Sequence, residues 1–247
     1  MDDPVTCNGT ITGGTFTGTI TGDGDGTLAG GDFTGANLGG FQGTVGAGAK
    51  IDGYSFENGK LTVTSISMES DKIPPAIWDG VKSIEVAAGA YFYLISDFSG
   101  NIHIADGGAL GIEGTISGGT ITAEGLFRLN PTGEITGSTN VQISGDTYLS
   151  NDGAITGGTF TGVVRNHTSI TGGDFTGATV TNDGGSITGG KFSNIALDRE
   201  SGELTITGNV DLSNGGSLAP LTIGLDDGSI QSITIASTGT FNAGATP

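Results

Sequence analysis

The stretch Ile155-Thr156-Gly157-Gly158-Thr159-Phe160-Thr161 recurs along the chain and decides the expected fold. Close copies start at residues 11, 170 and 187, and looser copies start at Leu28, Ile51 and Ile116. Neighbouring copies start at 11 and 28, at 155 and 170, and at 170 and 187, so the spacing changes by only a couple of positions. A motif that persists while its spacing changes slightly is typical of stacked coils with fixed strands and adjustable corners.

The position of the apolar residues within the motif predicts how each coil bends. Side chains alternate between the two sides of a strand, so Ile155 and Phe160, five positions apart, should point in opposite directions. Both are large and apolar, and both should be buried. The glycine pair between them resolves this conflict, because glycine adopts backbone conformations that turn a corner. In the looser copy, Ile51 and Phe56 should take the same two roles. We therefore expect a corner at each pair and a buried ladder made of Phe16, Phe33, Phe160, Phe175 and Phe192.

The composition supports an all-β repeat fold. Glycine supplies 49 of the 247 residues, but it does not fall at every third position, which excludes a collagen triple helix. Apolar residues make up 34% of the chain and keep fixed offsets from the glycines, a register that a disordered linker would not hold. The sequence therefore predicts a parallel β-helix or β-solenoid with coils of about 15–20 residues, roughly 15 coils in all, and right-handed as parallel crossovers usually are.

The repeat divides this continuous solenoid into three stretches. Solenoid coils are expected in 1–65 and 115–247, whereas the Gly-Gly unit is missing from 66–114. The middle stretch should form irregular, aromatic-rich coils or a small insertion. Repeat proteins often place recognition in such segments; the alternative is that the aromatic residues only fill a wider core. The candidate binding residues are Trp78, Tyr91, Tyr93 and His103.

The charge balance excludes several partners. The chain has 26 acidic and 8 basic residues and a net charge of −18, which would repel nucleic acid or an anionic membrane surface. No apolar run approaches the 18 or so residues that cross a bilayer, so no membrane insertion is expected. Met1–Val5 has neither a basic nor an apolar region, so no secretory signal is expected at this end.

The sequence predicts no catalytic residues, and the chain is expected not to be an enzyme. His103 and His167 lack zinc-site spacing, and no nucleophile elbow or phosphate-binding loop is present. The carboxylates nearest the aromatic stretch are Asp97, Asp106 and Glu113. They leave a polysaccharide lyase or hydrolase open as the enzymatic alternative, although a chain with 26 acidic residues will also contain chance pairs.

The sequence predicts neither calcium binding nor ice binding. Asp23–Gly26 and Asp226–Gly228 offer clustered oxygen atoms, but neither completes a calcium-binding loop, so no metal and no cofactor are expected. Thr-x-Thr pairs such as Thr159–Thr161 would suit an ice-binding face only if successive coils repeated them. Charged residues stand at the first threonine position in three copies: Asp32, Asp174 and Lys191.

The Ile-Thr-Gly-Gly-x-Phe-Thr units resemble coils of the parallel β-helix and β-solenoid proteins, which include phage tail spikes and fibres, virion surface proteins and bacterial surface adhesins. The resemblance is one of architecture, and architecture alone does not fix function. It implies a non-enzymatic structural or adhesive protein, first of all a virion component such as a tail fibre, spike or capsid-surface protein. A homo-oligomeric rod, with a trimer favoured, would then contact other virion or surface proteins, and a glycan is a further ligand to consider. The alternatives are a cell-surface or secreted bacterial adhesin, or a polysaccharide-binding or polysaccharide-cleaving β-helix protein.

Overall fold

Each coil contributes short strands that pair in parallel with the coils before and after it. This arrangement is seen in a computed structural model that describes residues 3–51, 53–183, 185–197, 203–211, 232–235 and 241–242. Paired residues lie 15 apart at Thr159 and Asp174 and 22 apart at Phe127 and Leu149, so the coils span the predicted length and slightly exceed it. The β-solenoid prediction is confirmed, with about 10 turns rather than 15. The turns are fewer because many coils are longer than those that carry the motif, and much of the sequence after 197 lies outside the described residues.

Every regular coil carries three strand segments, one on each of three faces. We call them the first face, which holds the isoleucine of the motif, the second face, which holds the phenylalanine, and the third face, which holds the strand that follows. Inward residues of successive coils pair on the first face at Ile116, Ile135 and Ile155, on the second at Ile121, Val141 and Phe160, and on the third at Phe127, Leu149 and Val164.

The N-terminal coils end at Ile51. The strands β2, β4 and β6 pair in parallel, while β1, β3 and β5 form a separate three-stranded sheet on the third face. Their bounds are β1 Val5–Thr6, β2 Thr10–Ile11, β3 Thr19–Gly22, β4 Thr27–Phe33, β5 Asn37–Phe41 and β6 Thr44–Ile51.

A hairpin then joins these coils to the longer stack. Its strands are β7 (Tyr54–Glu57) and β8 (Lys60–Val63), and β7 lies antiparallel between β6 and β8. The turn residues Asn58 and Gly59 both have positive φ, 51° and 81°, as an Asn-Gly hairpin turn of type I′ requires. The roles predicted for Ile51 and Phe56 are therefore wrong. Ile51 pairs with Phe33 on the second face and Phe56 lies on the antiparallel strand, because this copy has only one glycine and the chain reverses there.

A short helical segment replaces one strand of the first face. After β9 (Met68–Glu69) come a 3₁₀ turn (Ser70–Lys72) and the helix α1 (Pro75–Trp78), with Pro75 at its first position, where proline is favoured. Ile73 and Ile77 are buried, and the Trp78 ring lies 5.9 Å from that of Phe98, a first-face residue of the next coil. The helix thus covers the core where a strand is missing.

Regular coils begin again at Ser83, inside the stretch 66–114. They continue to Leu197, and further strands follow at β25–β27. Their bounds are β10 Ser83–Val86, β11 Tyr91–Leu94, β12 Asn101–Ile104, β13 Ala109–Ile112, β14 Thr115–Ile116, β15 Thr120–Ala123, β16 Leu126–Leu129, β17 Glu134–Ile135, β18 Asn140–Ile143, β19 Leu149–Asn151, β20 Ala154–Ile155, β21 Thr159–Asn166, β22 Ser169–Ile170, β23 Asp174–Asn182, β24 Ser186–Leu197, β25 Glu203–Asp211, β26 Ser232–Ile235 and β27 Phe241–Asn242.

The phenylalanine ladder occupies the core of the second face. Phe33, Phe160, Phe175 and Phe192 are fully buried, and Phe16, in the first coil, is only partly buried. The Phe175 ring stacks between Phe160 at 4.4 Å and Phe192 at 4.9 Å, nearly parallel to both. Offset stacking of this kind adds to the stabilisation that burial of each ring provides.

Three asparagines form a second ladder inside the third face. Asn151, Asn166 and Asn182 are fully buried. The Asn151 amide donates to Asn166 Oδ1 at 2.7 Å, and the Asn166 amide donates to Asn182 Oδ1 at 2.6 Å. The Asn182 amide in turn donates to the Gly185 carbonyl at 2.7 Å. A one-residue slip of any of these coils would leave a buried amide without a partner, so this ladder fixes the register.

Candidate functional site

The four candidate binding residues are spread over three sides of the solenoid. Tyr91 and Tyr93 are neighbours in β11 on the outside of the third face. His103 lies on the outside of the second face, and Trp78 belongs to the helix that covers the first face. Only the two tyrosines are brought together.

His103 belongs to a small charged cluster. Its Nδ1 lies 2.8 Å from Glu85 Oε1, and the other oxygen of Glu85 lies 3.4 Å from Lys60 Nζ. The three residues occupy successive coils in an open, partly exposed position, where such pairs stabilise a fold only slightly. Trp78, with its ring against Phe98, borders a shallow cavity of about 510 Å³ that also touches Lys82. Neither place gathers further aromatic groups.

The outside of the third face is different. Strand alternation places two rows of side chains there, running along the stack from β11 to β21. Three of the chain's four tyrosines and both arginines in the described part of the chain lie in these rows. We call the seven largest of these side chains the tyrosine–arginine face: Tyr91, Tyr93, Leu126, Arg128, Tyr148, Val163 and Arg165.

A glycine makes room for the tyrosine pair. The Tyr91 and Tyr93 ring centres are 4.3 Å apart. Gly111 pairs with Tyr93 on the next strand, and a Cβ there would lie 3.2 Å from the Tyr91 hydroxyl and 3.5 Å from the Tyr93 ring. Both rings therefore lean over the next coil instead of standing away from the sheet. Desolvation, together with a hydrogen bond to Tyr93, raises the pKa of Tyr91.

Polar groups surround the pair. The Asn130 amide donates to Glu113 Oε1 at 3.1 Å, and Asn130 Nδ2 would lie 3.3 Å from a Cβ on Gly111. One coil further on, Arg128 Nε donates to Asp152 Oδ2 at 2.8 Å. These groups offer donors and acceptors beside an aromatic surface.

The far end of the face combines a cation with apolar surface. The Arg165 guanidinium lies 3.9 Å above the centre of the Tyr148 ring, a cation–π contact. Leu126 is 48% exposed and Val163 is 38% exposed, although buried leucine and valine are the rule in this solenoid. Leu126 and Tyr148 also border a groove of about 910 Å³ at the corner between the second and third faces, whose rim carries Asp106, Glu124 and Asp146.

The carboxylates considered for catalysis are dispersed. Asp97 accepts a hydrogen bond from the Thr115 backbone on the first face, Asp106 lies at the corner groove, and Glu113 is bonded to Asn130. Among the residues that the structure describes, no three histidine, cysteine, aspartate or glutamate side chains are grouped to hold a metal ion. Asp226–Gly228 lies outside the described residues.

Charged residues interrupt the threonine pairs, as the sequence predicts. Asp32 lies opposite Thr15, and Asp174 lies opposite Thr159 with Lys191 on the coil beyond. A longer row of hydroxyl side chains instead runs along the first face, after each paired isoleucine or phenylalanine, but Glu134 stands beside it and accepts a hydrogen bond from Thr156 at 2.8 Å. The row consists of Ser99, Ser117, Thr136, Thr156, Thr171 and Thr188.

Sequence reasoning did not single out the arginines, Leu126, Tyr148 or Val163 as a site. The available signal was alternation: Arg128 stands between the buried Phe127 and Leu129, so its side chain points outward. Nothing in the order of residues shows that Tyr93 and Arg165, 72 positions apart, share one row. That conclusion needs the register of every coil between them.

In the described part of the chain, no helix is both long enough and apolar enough to cross a membrane. Comparison of the chain with family models, with curated proteins and with solved structures gives no match.

Proposed function

We propose that the chain is a non-enzymatic structural and adhesive rod that contacts its partner through the tyrosine–arginine face. The observation that carries this proposal is the concentration of three tyrosines, two arginines and two exposed aliphatic residues on one face of an otherwise acidic solenoid. Tyrosine and arginine are enriched where proteins bind, because each combines a large contact area with directional hydrogen bonds.

The scaffold supports this role by keeping the face stiff. The strands of the third face from β11 to β21 pair in parallel from coil to coil, and the phenylalanine and asparagine ladders fix the register of the coils near Arg165 from within. Side chains held in place before binding lose little conformational entropy on contact. The tyrosine–arginine face can therefore have the same conformation in the free rod as in the bound one.

Within this proposal the favoured setting is a virion, as part of a tail fibre, a spike or the capsid surface, with the rod assembled as a homotrimer beside other virion proteins. The elongated stack and the net charge of −18 support it, because like charge keeps repetitive β proteins from associating edge to edge. A bacterial surface or secreted adhesin would use the same face. Light scattering should give three times the mass of one chain; a stable monomer at micromolar concentration would count against the trimer.

Adhesion can be tested with the fluorescently labelled chain on a panel of intact Gram-negative and Gram-positive bacteria, read by flow cytometry. The variant Tyr93→Ala/Arg165→Ala should lose the signal of the cells that the unaltered chain stains. Gln142→Ala, an exposed change on the second face of the same coils, should keep it. Equal staining by both variants would refute the role of the face. Release of reducing sugar ends from stained cells would favour the lyase or hydrolase instead.

A further inference from the structure

We infer that the ligand of the tyrosine–arginine face is a neutral oligosaccharide a few sugar rings long. This inference rests on the proposed function, because it names the partner of the same face. Three features carry it: the size of the face, the chemistry of its side chains and the balance of its charges.

The first feature is size. The face spans five strands of about four residues, and strand geometry gives roughly 19 Å along the stack and roughly 13 Å across. The seven side chains therefore cover a flat area of about 250 Å². A chain of three or four sugar rings has a matching length.

The second feature is the pairing of aromatic and polar groups. A pyranose ring has an apolar face of C–H groups and a rim of hydroxyls, so it fits a surface with flat rings beside hydrogen-bonding groups. Tyr91 and Tyr93 supply the rings, and Glu113, Asn130 and Asp152 supply oxygen acceptors next to them.

Gly111 is the position that makes this surface flat. A side chain there would meet both tyrosines, because its Cβ would already lie 3.2 Å from the Tyr91 hydroxyl. Valine at this position would push the rings up from the sheet without straining the backbone, since β-branched residues favour strands. Gly111→Val therefore changes the arrangement of the rings without removing either one.

The third feature is charge. Arg128 is already paired with Asp152, and Arg165 is held over the Tyr148 ring. The neighbouring groove carries the acidic residues Asp106, Glu124 and Asp146, and the whole chain has a net charge of −18. An anionic polysaccharide would be repelled from this surface. A neutral one would not, and its binding should respond little to salt.

The test is an array of neutral gluco-, galacto- and manno-oligosaccharides of three to six rings, with sialylated and sulfated chains beside them, followed by calorimetry with the best binder. We expect neutral chains to be retained, Tyr93→Ala and Gly111→Val to weaken binding about tenfold or more, and Gln142→Ala to leave it unchanged. The affinity should stay nearly constant between about 0.05 and about 0.5 M salt. Thermal unfolding of each variant separates loss of binding from loss of fold.

Other outcomes overturn the inference in distinguishable ways. Retention of sulfated or sialylated chains alone would replace the neutral ligand with an anionic one. If no glycan is retained while staining of cells still depends on Tyr93 and Arg165, the oligosaccharide is wrong and the adhesive face stands. If neither glycan binding nor staining depends on the face, the proposed function fails as well.

Discussion

At the scale of single residues, the second glycine of each Gly-Gly pair carries the bend of its coil. Gly158 has φ 101° and Gly173 has φ 109°, in the region that residues with a side chain rarely adopt. In a straight strand, the isoleucine and the phenylalanine of the motif would point to opposite sides. The bend lets both point into the same core, as Ile155 and Phe160 do. This part of the fold could be predicted from the sequence, because two apolar residues at this spacing can both be buried only if the chain bends between them.

The first pair of glycines offers a matched test of that role. Gly14 has φ 112°, and a Cβ there would lie 3.1 Å from the Phe16 ring, whereas a Cβ on Gly13 would meet nothing within 4 Å. Gly14→Ala should destabilise the fold by about 1–2 kcal/mol. Gly13→Ala should change stability by less than about 0.5 kcal/mol. Urea unfolding of both variants provides the comparison, and equal losses would show that the pair does not turn the chain in this way.

The phenylalanine ladder gives a second residue-level prediction. Phe175 is fully buried between two stacked rings, so Phe175→Ala should cost about 3–5 kcal/mol of stability. The Phe16 ring stacks on that of Phe33 at 5.1 Å, and Phe16 is partly exposed. Phe16→Ala should therefore cost clearly less in the same denaturant titration. A larger loss at Phe16 would contradict the ladder.

At the scale of elements, the strands that carry the motif could be predicted from it, and the elements outside the repeat could not. The motif marks the first and second faces, but the hairpin at β7 and the helix α1 follow no repeat. The hairpin had a signal in Asn58-Gly59, which is typical of a two-residue turn. The spacing of Ile51 and Phe56 indicated another regular coil instead. Phe56 has the offset of the motif only by chance, because it lies on the antiparallel strand β7. Only the observed pairing of Tyr54 with Val63 decides between them.

The burial of Tyr54 in the inserted strand β7 predicts a loss of stability at alkaline pH. Burial raises the pKa of Tyr54, so the folded chain keeps this phenol protonated at a pH where the unfolded chain, with a tyrosine pKa of about 10, releases its proton. Its contribution to stability is therefore complete below about pH 10 and is lost as the pH rises further. Tyr54→Phe should flatten the fall in unfolding free energy above pH 10.

Tyr91 serves as the comparison for this measurement, because its pKa is also raised but its side chain is partly exposed. Tyr91→Phe should flatten the alkaline fall less than Tyr54→Phe does. Denaturant unfolding at several pH values from 8 upward would show both effects. An unchanged alkaline slope in Tyr54→Phe would mean that the β7 strand does not bury this side chain.

At the scale of the whole molecule, the three faces determine which residues can act together. Tyr91 and Tyr93 belong to one site with Arg165, while His103 lies on a second face and Trp78 covers the first. Composition identified aromatic residues as candidates, but grouping them required the exact length of each coil. Because coil length varies from one coil to the next, the local sequence does not show which side chains become neighbours on adjacent coils.

The stacking register is the central claim, and engineered disulfides test it most directly. Arg128 pairs with Ser150, and Ser150 pairs with Arg165 on the next coil. In a Cys7→Ala background, which removes the chain's single cysteine, cysteines at 128 and 150 would lie about 4.8 Å apart, within the range that a disulfide spans. Cysteines at 128 and 165, two coils apart, would be about 9.6 Å from each other and too distant to bridge.

Mild oxidation followed by mass spectrometry of tryptic fragments gives the result. The stack predicts a bond in Arg128→Cys/Ser150→Cys and in Ser150→Cys/Arg165→Cys, and none within the chain in Arg128→Cys/Arg165→Cys. Bridging of 128 to 165 without bridging of 128 to 150 would contradict the register and, with it, the tyrosine–arginine face.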